Sequence, residues 1–508
     1  MRTRMTSFTL ALAATSGSAA APAFPRYANP TVLEAACNKG LTTARAAVKR
    51  LESRRPDAGW IAAYDDISAL TEDLSGPFSL ITNVHPDKPM RDASEACELR
   101  WQDFLSTLGQ NEKLFAAAKR FEPRDAIDRE LRKTALETFV DSGVSLPAEK
   151  RKRAKAIIDR ITELGQTFDK NIRDANVQVP FEQAELKGVP DGVWKNAKRD
   201  AQGRVLLGVD EPTYMPVMQL AESAAARERI WRAKINEGGQ ANLKLLAEIA
   251  QLRREYAQLF GFNSYADFTL RRRMAENTAN AKRFLGEVQT AVAERETREL
   301  GELREAKARD VGKPLAEVKF ERWDLLYYTE RVKRERYSVD QEAFRAYFPP
   351  QESMLFVMRL IETTMGVKYT RVPGPKLWHA DAQAWQVADA ATGKPLASLL
   401  VDLYPREGKY NHAAVWSYRG GATRLARTPQ AALVVNLDRK GLTLDDLQTL
   451  LHEFGHAVHN NLSQTRHSSH AGTSTLRDFV EAPSQMLEEW IYDPRVLALM
   501  REVCPTCK

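Results

Sequence analysis

Residues 452 to 459 read HEFGHAVH. On a helix, His452 and His456 stand one turn apart and project to the same side, the geometry for two imidazoles on one tetrahedral zinc. Glu453, beside the first of them, can reach a metal-bound water without ligating the metal, which is the position of a general base. The chain holds 8 histidines, and five of them fall between His452 and His470, a clustering that chance explains poorly. The motif alone also decorates ordinary buried helices, so a third ligand decides. A third histidine six residues past His456 is excluded, because that position is Leu462 and the glycine expected before it is His459. The remaining solution is a downstream acid, and RDFVEAPSQMLEEWIYD offers Glu481, 25 residues after His456. Phe479, Met486, Leu487 and Trp490 are expected to face a core there. A glutamate buried among them needs a partner, and zinc is such a partner. Glu488 and Glu489 read as solvated helix-surface residues, and His459, His467 and His470 are not expected among the ligands.

The elements that must hold these residues are written around them. TLDDLQTLLHEFGHAVHNNL opens on Thr443 as a helix N-cap with Asp446 three positions later, a capping box with aspartate in the glutamate position. Leu444, Leu447, Leu451, Phe454 and Val458 supply its apolar stripe. Upstream, Ala431 to Leu437 (AALVVNL) is a short β-branched run bounded by polar residues, a strand. Ala384 to Ala388 and Ala397 to Leu403 are two more strands joined by a turn at Thr392-Gly393-Lys394, after a loop at Pro373-Gly374-Pro375. From about Thr31 to Arg345, 3.6-residue periodicity dominates. One helix spans Leu146 to Asp174 with Pro147 in its first turn, and another runs from Ala224 through Phe260 to a terminating Gly261. Val177 to Phe181 and Arg204 to Val209 read as the strands of a small hairpin.

At 508 residues, 43% hydrophobic and 28% charged, the chain has the composition of a soluble globular protein of more than one domain. No stretch beyond the leader approaches the roughly 18 apolar residues of a membrane span. The net charge of +7 comes from 74 basic and 67 acidic residues interleaved at helical spacing, which reads as solvated helix faces and not as a nucleic-acid footprint. Residues 1–22 have the layout of a secretory signal peptide, basic then apolar then small, with cleavage near Ala20. A periplasmic or secreted protein is expected, with a disordered cytoplasmic leader as the alternative. If exported, Cys37 and Cys97 could bridge two N-terminal helices; in a reducing compartment both would be buried thiols. Cys504-Pro505-Thr506-Cys507 lacks the second pair of a structural zinc site and the context of a redox motif, and reads as a frayed tail or an incidental bridge. The expected organisation after residues 1–22 is an N-terminal helical region (23–220), a helical lobe (221–372) and a zinc-binding catalytic region (373–508).

The chain resembles the thimet oligopeptidase, neurolysin and dipeptidyl carboxypeptidase family of zinc metallopeptidases, which includes bacterial oligopeptidase A. HEFGHAVH followed by RDFVEAPSQMLEEW matches the family's two ligand-bearing helices, and DLYPREGKYNHAA at Asp402 to Ala414 matches the segment before them. KLWHADAQAW, WDLLYY and LRREYAQLFGFNSYADFTLRRRMA also fit, so the similarity extends over most of residues 220–492. The resemblance implies one Zn²⁺ held by His452, His456 and Glu481, with Glu453 as the base acting on a zinc-bound water, and hydrolysis of short oligopeptides. It also implies a mainly α, two-lobed, helix-rich fold with a small sheet beside the H-E-x-x-H helix and a deep substrate channel. In the family the catalytic lobe continues well past the third ligand and adds a loop whose phenols stabilise the oxyanion, whereas this chain ends at Lys508. A truncated chain is therefore expected, with a metal- and peptide-binding but catalytically impaired fragment as the alternative to an active peptidase. Tyr410 and His412 are the nearest residues to substitute as substrate-binding groups, against the commoner role of loop residues bonded to backbone.

Overall fold

The computed structural model describes residues 23–374, 376–505 and 507. The signal-peptide reading of residues 1–22 lies outside the described residues. Six helices lead: α1 (Pro30–Glu52), α2 (Trp60–Val84), α3 (Lys88–Gly109), α4 (Glu112–Arg120), α5 (Ala126–Asp141) and α6 (Ala148–Arg173). Asn29, Asn111 and Asp125 cap α1, α4 and α5 by accepting from first-turn amides, donors that have no partner within a helix. Pro147 is the N-cap of α6, just outside its first turn. Leu33, Trp60, Phe78, Trp101, Leu114, Phe121 and Phe139 build one core shared by α1 to α5. The Cys37–Cys97 disulfide ties α1 to α3 within it.

The expected hairpin follows as β1 (Val179–Phe181) and β2 (Val205–Leu207), antiparallel, with the one-turn α7 (Asp191–Trp194) between them. Then come α8 (Glu211–Leu220), α9 (Ala224–Ile235), α10 (Gly239–Leu259), α11 (Tyr265–Leu270), α12 (Thr278–Val311), α13 (Leu325–Tyr337), α14 (Gln341–Phe344) and α15 (Pro350–Met365). The single helix expected from Ala224 through Phe260 is two helices. Gly238 takes φ of 77° at the break, a left-handed conformation that costs glycine little. Apolar periodicity continues on both sides, so hydrophobic pattern alone does not register the turn. Gly261, with φ of 83°, does close α10 where the sequence places it.

A five-stranded sheet of order β3-β4-β5-β7-β6 occupies the C-terminal half. Its strands are β3 (Val367–Arg371), β4 (Gln383–Asp389), β5 (Pro395–Asp402), β6 (Ala414–Arg419) and β7 (Gln430–Val434). The β4–β5 hairpin is the expected one, and β7 pairs parallel to β5. β7 stops at Val434, short of Leu437, and β3 and β6 are additions to the sequence reading; exposed residues interrupt the apolar pattern of β3, and β6 is half-buried along most of its length. α16 (Leu444–Asn461) lays Leu447, Leu450, Leu451, Phe454 and Ala457 into the core that also holds Val401, Leu433 and Phe356. α17 (Ala482–Glu488), α18 (Pro494–Leu497) and α19 (Met500–Val503) close the chain, and Cys504 and Cys507 are bridged.

The fold is thus mainly α, with a small sheet beside α16 and two large separate cores. They meet where α2 crosses β6. A Cβ on Gly76 would lie 2.2 Å from the Tyr418 carbonyl oxygen, so only glycine permits that approach. Among the described residues no helix is long and apolar enough to cross a membrane.

Candidate metal centre

The capping box sets where α16 starts. The Asp446 amide donates to the Thr443 hydroxyl at 3.1 Å, and the Thr443 amide donates to the Asp446 carboxylate at 2.9 Å. With the leucine stripe seated on the sheet, His452 and His456 emerge on one side of the helix toward Glu481, the N-cap residue of α17. Their Nε2 atoms stand 3.3 and 3.1 Å from Glu481 Oε2, and one ligand atom of each residue lies within 4.8 Å of the others. A tetrahedral zinc with ligand bonds of about 2.0–2.1 Å spaces its ligands about 3.3 Å apart. The observed separations fit one ion shared by two imidazoles and a carboxylate. Among the described residues no other group of His, Cys, Asp and Glu gathers so closely.

Two sequence arguments need correction. Glu481 is not buried: its side chain is 52% exposed, and Phe479 and Met486 are exposed as well, whereas Leu487 and Trp490 pack on the core as expected. The apolar letters around Glu481 form the rim of the centre. Its carboxylate is instead oriented by Ser484, whose buried hydroxyl donates to Glu481 Oε2 at 3.0 Å and to its carbonyl at 2.9 Å. Nor is Glu488 an idle surface residue. Its Oε1 is 2.6 Å from His452 Nδ1 and its Oε2 accepts from Gln448 at 2.7 Å. A carboxylate only accepts, so Nδ1 carries the proton and the Nε2 lone pair is left facing the centre. No sequence signal marks it, since Glu488 and Glu489 are alike in sequence and only the packing of α17 on α16 turns one of them to His452. Glu489 is exposed, as read.

Gly455 governs how closely the two ligand-bearing elements approach. A Cβ there would lie 2.5 Å from Ser484 Cα and 3.0 Å from the Pro483 carbonyl. Glu453, beside it, is buried. Burial pushes its carboxyl up to about 7, with the charge of Glu481 adding to the shift and His452 opposing it. Burial likewise pushes His456 down.

Residues 217–503 match the sequence model of peptidase family M3. The chain belongs to this family of metallopeptidases. Oligopeptidase A of Escherichia coli strain K12 is 29% identical over 503 residues, covering 92% of this chain and 73% of that protein. A thimet-like oligopeptidase of Dictyostelium discoideum is 28% identical over 472 residues, covering 88% and 70%. Saccharolysin of Saccharomyces cerevisiae is 28% identical over 451 residues, covering 82% and 63%.

The DLYPREGKYNHAA segment of this M3 peptidase is held by buried charge. Lys409 Nζ, fully buried, donates to Asp402 and to the carbonyls of Asp402, Tyr404 and Val435 at 2.6–3.1 Å. Asp402 also receives Arg406 and the Trp378 indole. Burial pushes Lys409 down to about 8 against the pull of Asp402. This knot fixes the loop that carries Tyr410, whose own amide donates to the Asn83 carbonyl. Tyr410 is half-buried with its ring edge-on to Trp416. Burial raises its phenol, and the nearby charges of Glu453 and Asp169 raise it further. Its hydroxyl has no hydrogen-bond partner among the described residues. His412, its ring centroid 5.9 Å from that of Tyr410, lines a cleft at the start of α16 with Glu211, Asp438 and Asp446. His459 lies edge-on to Phe479, His470 reaches Thr134, and His467 is buried between Asp65 and Asp128, so none joins the centre.

Proposed function

We propose that this chain is a zinc-dependent oligopeptidase in which His452, His456 and Glu481 hold one Zn²⁺ and Glu453 is the general base. The observation that carries the reading is the convergence of two imidazole nitrogens on one carboxylate oxygen at 3.3 and 3.1 Å. Zinc held there supplies Lewis-acid polarisation of a water and of the scissile carbonyl. The Glu453 carboxylate takes the proton of the attacking water and delivers it to the departing amide nitrogen. Glu488 keeps His452 in the tautomer whose Nε2 can ligate. The free Tyr410 phenol donates to the oxyanion, a role worth ~10²–10³ in turnover when one donor is removed.

Three variants test these assignments together on a short quenched-fluorescent peptide, with elemental analysis of the purified protein. His456→Ala should lose stoichiometric metal. Glu453→Gln should keep metal and lose hydrolysis by orders of magnitude, because an amide cannot accept the proton. Tyr410→Phe should keep metal and lower kcat by ~10²–10³ with KM little changed. Full zinc in the first variant, or activity above a few per cent in the second, would sink the assignment; an unchanged kcat in the third removes Tyr410 from the mechanism.

We also propose that the protein is exported. The support is the layout of residues 1–22 together with disulfides at both cysteine pairs, bonds that persist in oxidising compartments. N-terminal sequencing of the native protein should begin near Ala21; an intact Met1 with four free thiols contradicts it.

A further inference from the structure

β7 lies between β5 and β6, and its last residue, Val434, pairs with Asp402 on one side and with Ala414 on the other. Past that point the two sides part. Toward β5 the ladder continues, with the Val435 amide donating to the Asp402 carbonyl at 2.9 Å and the Leu437 amide donating to the Leu403 carbonyl at 2.8 Å. On the side of β6, the chain before Ala414 is the loop that carries Tyr410, and among the described residues no backbone bond ties it to residues 435–437.

A side chain takes the place of the ladder there. Asn436 Nδ2 donates to the Tyr410 carbonyl at 2.9 Å and to the His412 carbonyl at 2.7 Å, alternate residues, as are the carbonyls a strand turns to one neighbour. Two carbonyls accept only from an NH₂ group, which fixes the way the amide faces, and both of its hydrogens are used. The carboxylate of aspartate has the same shape and no hydrogen to give. The effect falls on Tyr410. Its amide donates to the Asn83 carbonyl at 2.8 Å and its carbonyl accepts from Asn436, so its backbone is pinned from α2 on one side and from the end of β7 on the other. Lys409, next to it, donates to the Val435 carbonyl at 2.6 Å. The phenol alone is left without a partner among the described residues. A donor with a fixed backbone and a free hydroxyl needs little reorganisation when charge develops beside it.

On the reading of Tyr410 as the oxyanion donor, we propose that Asn436 is a positioning residue, which by bonding both loop carbonyls sets where the Tyr410 phenol stands. It acts through the loop and not on the substrate. A displacement of order 1 Å at a reacting site can cost about 10²-fold in rate, so two hydrogen bonds far weaker than that in stability terms can govern turnover.

The test uses the full-length, zinc-loaded protein and a short quenched-fluorescent peptide. Asn436→Ala and Asn436→Asp should each lower kcat about 10–100-fold, with KM and zinc content little changed, aspartate the more because its charge repels the two carbonyls. Asn436→Gln, which keeps both hydrogens on a longer arm, should recover part of the loss. In a Tyr410→Phe background the same substitutions should cost little more, because residues that act as one unit are not additive. Hydrogen exchange, read by mass spectrometry with and without zinc, should quicken in Asn436→Ala over residues 408–413 and stay as in wild type elsewhere. Full additivity with Tyr410→Phe, unchanged kcat in Asn436→Ala, or exchange that is unchanged in the loop or quickened throughout the chain overturns the positioning role, while a Tyr410→Phe that keeps its own effect leaves the reading of Tyr410 intact. A Tyr410→Phe that costs nothing overturns both.

Discussion

At the scale of single residues, the centre is a set of donors whose directions are fixed by partners one layer out. Glu488 is the clearest case: it touches no substrate, yet its bond to His452 Nδ1 decides which nitrogen is free to ligate. Glu488→Ala should therefore weaken zinc about 10–100-fold while leaving all three ligands in place. Competition against a chelator of known affinity measures this, and unchanged affinity would make Glu488 a bystander. The convergence of His452, His456 and Glu481 was legible in the sequence, because two imidazoles one turn apart call for a third ligand downstream. Glu488 was not, because a glutamate on a polar helix face looks the same whether it meets water or an imidazole. Glu481 was reached through an incorrect premise. The apolar residues beside it suggested burial, whereas Phe479 and Met486 are exposed at the rim, and composition cannot separate a core from an apolar rim.

At the scale of elements, the centre depends on α16 and α17 meeting almost backbone to backbone. Helix propensity favours alanine over glycine at position 455 by about 1 kcal/mol. The 2.5 Å approach of a Cβ to Ser484 Cα reverses that preference, since overpacking of this kind typically costs about 1–3 kcal/mol. The displaced backbone is also the one that aims Glu481, through the bond from the Ser484 hydroxyl. Gly455→Ala should thus retain its helix content by circular dichroism and lose at least tenfold in zinc affinity. Equal affinity would show that α17 slides without disturbing Glu481. The capping box, the stripe of α16 and the β4–β5 hairpin could all be read beforehand because each is local. The break at Gly238 and the strands β3 and β6 could not, since they are decided by what packs against them.

At the scale of the whole molecule, the two large cores are joined by buried charge. Asp65 of α2 accepts from the amides of Ser468 and Ser469 at 3.0 Å each and from the Ser469 hydroxyl at 2.8 Å. His467 Nδ1 at 3.4 Å and Arg424 at 3.2 Å face it as well. The segment it grips leads from α16 to Glu481, so this junction connects the N-terminal helices to the third candidate ligand. Burial by itself would raise the Asp65 carboxyl. The bonds from His467, Ser469 and Ser468 outweigh burial and hold it below its ordinary range. A carboxyl with a depressed folded pKa binds fewer protons folded than unfolded, so its contribution is present above the unfolded value of about 3.9 and is lost as pH falls through the folded one. Glu72, in the same junction, is shifted the other way by burial despite Arg427, so its ionisation weakens the fold as pH rises and the wild-type profile sums both. Asp65→Asn separates them: it should be about 3–5 kcal/mol less stable than wild type at neutral pH, the usual cost of removing one partner from buried charges. That deficit should shrink as pH falls below about 4, where Asp65 of the unfolded chain takes up a proton that the folded protein still refuses. Urea denaturation of both proteins across this range decides it. A deficit that does not change with pH would mean that the shape of the hydrogen bonds, and not the charge they surround, holds the two halves together.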